Sequence, residues 1–251
     1  MQDSAAMAAA IHVVPPNGGG VDRYVRGICR IRRQDWILHV SASQWVAEHP
    51  AAGVLIPVVP GAEAIHALGH NWIVHAHSTL PDIREAVQQI GDGAADRYVL
   101  TLHDIAFTDA DAFTSPEEQA ARTEFVRRAA HLIAPSNYIA EGARKLLGSE
   151  STPLSVIPNG VNSKVAATQS PEGPRPDQPE HFDIAVIGAL GVHKGLHLLD
   201  EVTSCLPSNL RVVVIGYVDG QTAPGWRVPG RIWVHGAFEP TEIRDFVERT
   251  G

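Results

Sequence analysis

Cysteine is scarce in this sequence: Cys29 and Cys205 are the only two in 251 residues. Too few and too far apart for a disulfide framework, they fit a reducing compartment, and both read as core residues. No stretch reaches the ~20 apolar residues of a membrane span. The opening MQDSAAMAAAIHVV lacks the basic n-region and the long apolar run of a signal peptide. Positive charge is also in deficit, with a net charge of -8, which argues against nucleic acid as a partner and gives no general attraction to anionic lipid. The expectation is a cytoplasmic protein. GxSxG, P-loop and kinase signatures are missing, which leaves hydrolase and phosphotransferase chemistry without a carrier. HExxH and CxxC are missing too, so no metal is expected, and without a GxGxxG fingerprint no NAD or other cofactor is signalled.

What the sequence does have is a strand and helix rhythm, with 44% hydrophobic residues, enough for one large or two ordinary domains. Ile11–Val14 is a short apolar run; the loop PPNGGG follows, then a helix with Val21, Tyr24, Val25, Ile28 and Ile31 on one side. Trp36–Val40, Val54–Val58 and Trp72–His75 are the next strands. A helix follows with Ser78 or Thr79 as cap, Pro81 in its first turn, Ile83, Val87 and Ile90 on one stripe, and Gly91 at its end. Tyr98–Leu102 is a strand that runs into His103 and Asp104. Ser115-Pro116-Glu117-Glu118 reads as a capping box, with Ala121, Phe125, Ala129 and Leu132 as the buried face behind it. HLIAPS is a strand, Asn137–Leu147 a helix closed by Gly148, and Leu154–Ile157 a strand closed by the turn Pro158-Asn159-Gly160. Strands alternating with helices imply a parallel sheet covered on both faces.

From Ala167 to Phe182 the sequence turns proline-rich and loses apolar periodicity, as an interdomain linker does. The expected division is a first domain over 1–166, a linker over 167–182 and a partial second domain over 183–251. The second domain opens on DIAVIGALGVHKGLHLLDEV: a buried strand Ile184–Ile187, a turn through Gly188 and Gly191, and a helix from near His193 that turns Leu196, Leu199, Val202 and Leu206 to one face. Backbone N–H groups at a glycine turn, a helix N-terminus and the charge of Lys194 together suit an anion, above all a phosphate. Read alone, the same turn is also satisfied by two structural glycines and a solvated lysine. Arg211–Ile215, Ile232–Val234 and a helix near Thr241–Glu248 continue the rhythm. This remainder is small for a doubly wound unit, so an unpaired parallel edge and an exposed apolar face are expected, both routes to self-association.

Ligands in such sheets bind beyond the carboxyl ends of the strands. The polar or glycine residues expected there are Gly18, Gly19, Gly20, His75, His77, His103, Asp104, Ser136, Asn159, Gly188, Gly191 and Lys194. Three adjacent glycines without the GxGxxG spacing do not signal NAD. His103 suits a hydrogen bond to a substrate hydroxyl or phosphate, or simply to a loop carbonyl. His75 and His77, two apart on an extended segment, project from one face. With His103 nearby they mimic a zinc set that lacks its usual motif. Arg26, Arg30, Arg32 and Arg33 form a basic spot near the end of the first helix, either a solvated face or a contact for a membrane surface or an anionic acceptor.

Taken in order, PPNGGGVDRYV, VHAHS, LTLHD, LIAPSNYIAEGARKLLG, LSVIPNGVN, the proline-rich linker, VIGALGVHKGLHLLDEV, VVVIGYVDG and VHGAFEPTEIRDFV resemble a retaining GT-B glycosyltransferase of family 4. The resemblance spans nearly all of residues 10–250. It implies two Rossmann-like parallel-sheet domains facing across a cleft, the second truncated. It also implies transfer of a sugar, with retention and without a metal, from a nucleotide-sugar donor to a glycan, lipid-linked or small-molecule acceptor at the inner face of a membrane or in the cytoplasm. By the resemblance Gly18, Gly19 and Gly20 lie near the donor phosphate and the acceptor, His103 contacts the donor sugar, and Lys194 binds the diphosphate. His103 and Lys194 are then the catalytic residues, and His77, Asp104, Ser136, Asn159, Gly188 and Gly191 complete the substrate-binding set. A pyrophosphate leaving group needs charge stabilisation more than a general base, so no nucleophile is assigned. Two departures stand out. Ala189 occupies a position where the family usually carries Arg, and the family continues past Thr241–Glu248 into a Glu-rich segment that holds the donor. The expectation is therefore an acceptor half with the front edge of a donor half, the alternative being a non-catalytic GT-B-like fragment or a partner-dependent binding subunit.

Overall fold

The computed structural model describes residues 9–16, 19–60, 72–90, 98–103, 115–148, 152–160, 182–238 and 242–243. The chain divides into two compact units, residues 1–167 and 168–251. Among the described residues no helix is long and apolar enough to cross a membrane.

The first unit is built on an eight-stranded sheet. Its strands are β1 (Ala10–Val14), β2 (Trp36–Val40), β3 (Trp45–His49), β4 (Val54–Val58), β5 (Ile73–Ala76), β6 (Val99–Thr101), β7 (His131–Ala134) and β8 (Leu154–Val156). They lie in the order β4-β3-β2-β1-β5-β6-β7-β8. β1, buried at every residue, sits in the middle and pairs in parallel with β2 and β5, and β5 to β8 continue in parallel. The expected all-parallel sheet is corrected at the other end. β3, missed in the sequence reading, pairs antiparallel with β2 and β4. The connections 41–44 and 50–53 are too short to carry a crossover helix, so only hairpins can join these strands. The sheet is therefore mixed.

Helices α1 (Gly20–Ile31), α2 (Pro81–Ile90), α3 (Pro116–Arg128) and α4 (Asn137–Leu147) connect the parallel strands. α2 buries Ile83, Ala86, Val87 and Ile90 on a single stripe. α1 buries Val25 and Cys29, but Ile31 is 85% exposed, because the helix ends there with the Arg32 amide closing onto the Ile28 carbonyl. On α3 the Ser115 hydroxyl accepts the Glu118 N–H as a cap should. The reciprocal half of the capping box is absent: the Glu118 carboxylate binds Arg84 and Arg122 instead, a charge-assisted alternative to the Ser115 amide. Phe125 and Val126 form its buried face, while Ala121 points outward. Leu38, Val74, Leu100 and Leu132 from the sheet pack with Ile83, Val87, Phe125 and Ala140 into one continuous core.

The second unit is a four-stranded sheet in the order β11-β12-β10-β9. It comprises β9 (Phe182–Ile187), a 3-10 turn (Val192–Lys194), α5 (Leu196–Cys205), β10 (Leu210–Ile215), β11 (Gly225–Val228) and β12 (Ile232–Val234). β9, β10 and β12 are parallel, and β11, absent from the sequence reading, adds an antiparallel edge. β9 lies at the other edge, which overturns the expected buried strand: Ile184 and Ile187 are 42% and 55% exposed. Arg211 ties β10 to β9 through both oxygens of Asp183. On α5, Leu196, Leu199 and Thr203 face the core while Val202 is exposed, and Cys205 is exposed where a core thiol was expected. Leu190, Val212, Val214, Val218, Ile232 and Val234 complete this smaller core. Gly91 and the expected linker up to residue 181 lie outside the described residues, and Phe182, placed last in that linker, is the first residue of β9. Most of the helix near Thr241–Glu248 also lies outside them, with residues 242–243 described as helical.

One contact fixes the start of the turn after β9. Gly216, at φ +143, lies so close to Gly188 that a Cβ would run into the Gly188 carbonyl oxygen. Gly216→Ala should cost about 2 kcal/mol or more, through backbone strain and steric overlap together. Hydrogen exchange reads this locally: the amides of Gly188 and Leu190, bonded to the carbonyls of Ile215 and Tyr217, should exchange faster in the variant. Unchanged protection would contradict the close approach.

Candidate functional site

In the first unit the chain leaves β1 for β2 on one side and later returns to β5 on the other, with all three strands parallel. The loops that leave β1 and β5 therefore diverge and open a crevice beyond their carboxyl ends, the usual ligand position in open α/β sheets. A cavity of about 270 Å³ lies there, lined by Val21, His77, Ser78, Thr79, His103 and Arg122 among others. Gly19 is the residue before α1 and Gly20 its first residue; a Cβ on Gly20 would meet nothing within 4 Å. The positive end of the α1 dipole lies at these two exposed glycines.

His77 and His103 bring imidazole to the lining of the cavity, and further rings stand behind them. His75 and His77 share a face, as strand alternation requires, with ring centroids 4.1 Å apart. The parallel register sets His12 of β1 beside His75, and its ring lies 5.1 Å and 5.2 Å from those of His75 and His77. His12 Nδ1 is 2.9 Å from His77 Nε2, and His77 Nδ1 is 3.3 Å from His103 Nε2. His75 Nε2 pairs with the Thr101 hydroxyl at 2.8 Å, and Tyr24 packs edge-on against His77 and His103. At the far end, His12 Nε2 is 3.4 Å from Oδ2 of Asp35, a fully buried carboxylate that accepts the Ala10 N–H at 3.0 Å and the Arg32 Nε–H at 2.6 Å.

Burial sets the charge state of two of these rings. Burial first, then His12 and His103, lowers His75 to about 3, and burial with the neighbouring rings holds His77 well below its ordinary value. Burial pushes Asp35 up, but hydrogen bonds from His12, Arg32 and the Ala10 amide outweigh it and bring the carboxyl down to about 2. Ring nitrogens of His12, His75 and His77 lie within 4.8 Å of one another, so among the described residues the trio that could hold a metal contains His12 in place of His103. All three already hydrogen-bond to neighbouring side chains. Chemically the wall offers hydrogen-bonding groups to a polar ligand.

In the second unit, the turn after β9 takes a different course from the one expected. Regular helix begins at Leu196, not near His193, because Gly195 adopts a left-handed conformation (φ 83) that ends the preceding 3-10 turn. Gly188 has φ +108, Gly191 is buried at the start of the 3-10 turn, and Lys194 is exposed within it. The amides of Gly188, Leu190, Lys194, Gly195 and Leu196 are bonded to carbonyls of this unit. Of the features expected to hold an anion, the exposed Lys194 is in place, whereas these five backbone donors are already engaged.

The structure brings His77 and His103 together at the crevice, with Gly19 and Gly20 at the start of α1 and Gly188, Gly191 and Lys194 on one turn of the other unit. Ser136 caps α4, its hydroxyl accepting the Ile139 N–H, and Asn159 is exposed beyond β8. Gly18 and Asp104 lie outside the described residues. Of the four arginines near the end of α1, Arg26 is engaged by Asp22 and Glu48, and Arg32 by Asp35. Sequence reading missed His12, Asp35, Tyr24, Thr101 and Arg122. The one available signal was a lone histidine inside the apolar run AIHVV.

The Glycosyltransferase Family 4 profile matches residues 9–165, more than half of the chain. Among solved structures, sucrose-phosphate synthase from Thermosynechococcus elongatus superposes with a TM-score of 0.62 at 13% identity, over 92% of this chain and 71% of that one. HepE of Anabaena, in complex with UDP and glucose, superposes with a TM-score of 0.54 at 16% identity, over 84% of this chain and 61% of its own. The OtsA apo structure gives a TM-score of 0.55 at 11% identity, covering 97% of this chain and 76% of that one. These likenesses establish the α/β architecture as that of GT-B glycosyltransferases. A search of curated proteins gave no significant match.

The histidine cluster has a consequence for stability. His75 and His77 stay neutral in the folded chain where the unfolded chain takes up protons, so the unfolded state binds more protons below about pH 6.5. Stability should fall with pH from that point, by up to about 1.4 kcal/mol per pH unit for each ring. Asp35 acts with the same sign lower down: its contribution is complete above about pH 4 and is lost as pH drops through its folded value of about 2. Urea midpoints measured from neutral to acid pH should decline accordingly, and His75→Phe should flatten the slope. A flat wild-type profile would contradict the buried, neutral His75 and His77.

Proposed function

The chain belongs to Glycosyltransferase Family 4, and from that premise we propose that it takes part in retaining transfer of a sugar from a nucleotide-sugar donor to a glycan, lipid-linked or small-molecule acceptor. The observation that carries this reading is the crevice at the switch point of the first sheet, where His103 and His77 line a cavity inside the matched region. A sugar is recognised through directional hydrogen bonds to its hydroxyls, which an imidazole wall supplies. The chain spans 61% of the length of HepE, so the activity of a whole enzyme is part of the proposal.

In this reading His103 contacts the donor sugar, and Gly18, Gly19 and Gly20 give the donor phosphate and the acceptor close access to backbone and helix dipole. Lys194 stabilises the charge that develops on the diphosphate leaving group, beside the turn of Gly188 and Gly191. Asp104, Ser136 and Asn159 complete the polar surroundings, and no step calls for a metal or a protein nucleophile. Ala189 leaves Lys194 without the second cation usual in the family. The setting proposed is cytoplasmic, with Arg30 and Arg33 beside the exposed Ile31 available to a membrane surface.

Calorimetry tests the donor. The full chain, titrated with uridine, guanosine and adenosine diphosphate sugars, should bind at least one. Lys194→Ala should weaken that binding about tenfold or more, the scale of one charge-assisted contact. Absence of affinity for every one of these sugar nucleotides would overturn the reading.

A further inference from the structure

The cavity wall has a depth that sugar binding alone does not require. Behind His103, a file of buried groups crosses the centre of the sheet. His103 Nε2 faces His77 Nδ1 at 3.3 Å, His77 Nε2 faces His12 Nδ1 at 2.9 Å, and His12 Nε2 faces Asp35 Oδ2 at 3.4 Å. Each nitrogen pair shares one proton, since two N–H groups would repel and two lone pairs would leave the contact empty. Its direction is set at the carboxylate end. Asp35 accepts from the Ala10 amide and from Arg32, and an ionised carboxylate has only acceptors to offer. His12 must then donate from Nε2, which makes its Nδ1 the acceptor for the N–H of His77 Nε2. His77 Nδ1 in turn accepts from His103 Nε2. Reversing the line would set an unprotonated His12 Nε2 against the Asp35 carboxylate, acceptor facing acceptor, or else require a second proton on His12.

We propose that Asp35, His12 and His77 are positioning residues: together they form a tautomer relay that makes Nδ1 of His103 a hydrogen-bond acceptor, selecting a ligand that presents a hydroxyl. The same logic operates wherever a carboxylate fixes the tautomer of a working imidazole, but here it passes through two intervening rings. A cation held by His12, His75 and His77 is the competing use of these rings. It would have to displace the proton of the 2.9 Å contact and the hydrogen bond that His75 makes to Thr101. Identifying the hydroxyl with that of a donor sugar rests on the function proposed above; the direction of the relay does not.

The test reads protons on nitrogen. The full chain, labelled with 15N-histidine, is observed by long-range 1H–15N correlation at neutral pH. His12, His77 and His103 should each show a protonated Nε2 and an unprotonated Nδ1. In Asp35→Asn the amide can donate to His12 Nε2, so the three rings should turn over to protonated Nδ1. His12→Phe cuts the line while leaving the Asp35–Arg32 bond in place, and His77 and His103 should then populate both tautomers. The wild-type spectrum decides the matter even if neither variant folds. Protonated Nδ1 on His103, a doubly protonated His12, or metal-bound ring nitrogens with stoichiometric metal in the purified protein would overturn the relay. The predicted pattern without sugar-nucleotide binding would leave the relay standing and sink the donor reading, and binding with the opposite tautomers would do the reverse.

Discussion

A buried carboxylate is tolerated only when its charge is fully answered, and Asp35 is the point at which the first unit meets that condition. It sits immediately before β2, yet it binds the amide of Ala10 at the head of β1, the guanidinium of Arg32 at the end of α1, and the ring of His12 within β1. The joint between the first strand, its helix and the second strand is thereby locked. His12 carries the same constraint inward to His77 and on to His103 at the mouth of the crevice. The group that ties the first strand to its helix and to the second strand thus also braces the wall of the cavity.

The two units prepare their candidate sites by different physical means. In the first, side chains at the ends of rigid parallel strands do the positioning, and packing leaves the rings little freedom: His77 is 1% exposed and wedged among His75, His12 and Tyr24. In the second, a glycine turn does it. Gly188 and Gly216 approach so closely that neither the backbone path nor the first step of the turn can vary, and the left-handed Gly195 then hands the chain into α5. A site of the first kind suits a ligand read by hydroxyl direction, and one of the second suits an anion read by charge.

Punctuation in the sequence was a sound guide to most elements. Pro81, the Ser115-Pro116 pair and Gly148 marked helix ends that the structure places within a residue or two. Periodicity was less reliable about where a stripe stops: Ile31, Ala121 and Val202 fit the spacing but fall outside the packed face. β3 alternates plainly, with Trp45 and Ala47 inward, but it is only five residues long and, although Pro50 follows it, no glycine or proline marks its start. Its antiparallel pairing depends on loop lengths more than on the strand itself. The pairing of His75 with His77 could be read from their spacing, whereas the link from His12 to Asp35 could not. It joins residues 23 apart through a strand register that only the folded sheet defines.

The central claim is that a sugar hydroxyl meets an acceptor nitrogen on His103 at the switch point of the first sheet. A crystal structure of the full chain grown with the tightest-binding sugar nucleotide would test it most directly. The account predicts density for the hexose in the crevice, with one hydroxyl at hydrogen-bond distance from His103 Nδ1. A sugar bound elsewhere, along the arginines at the end of α1 for example, or one seated in the crevice with no contact to His103, would contradict it.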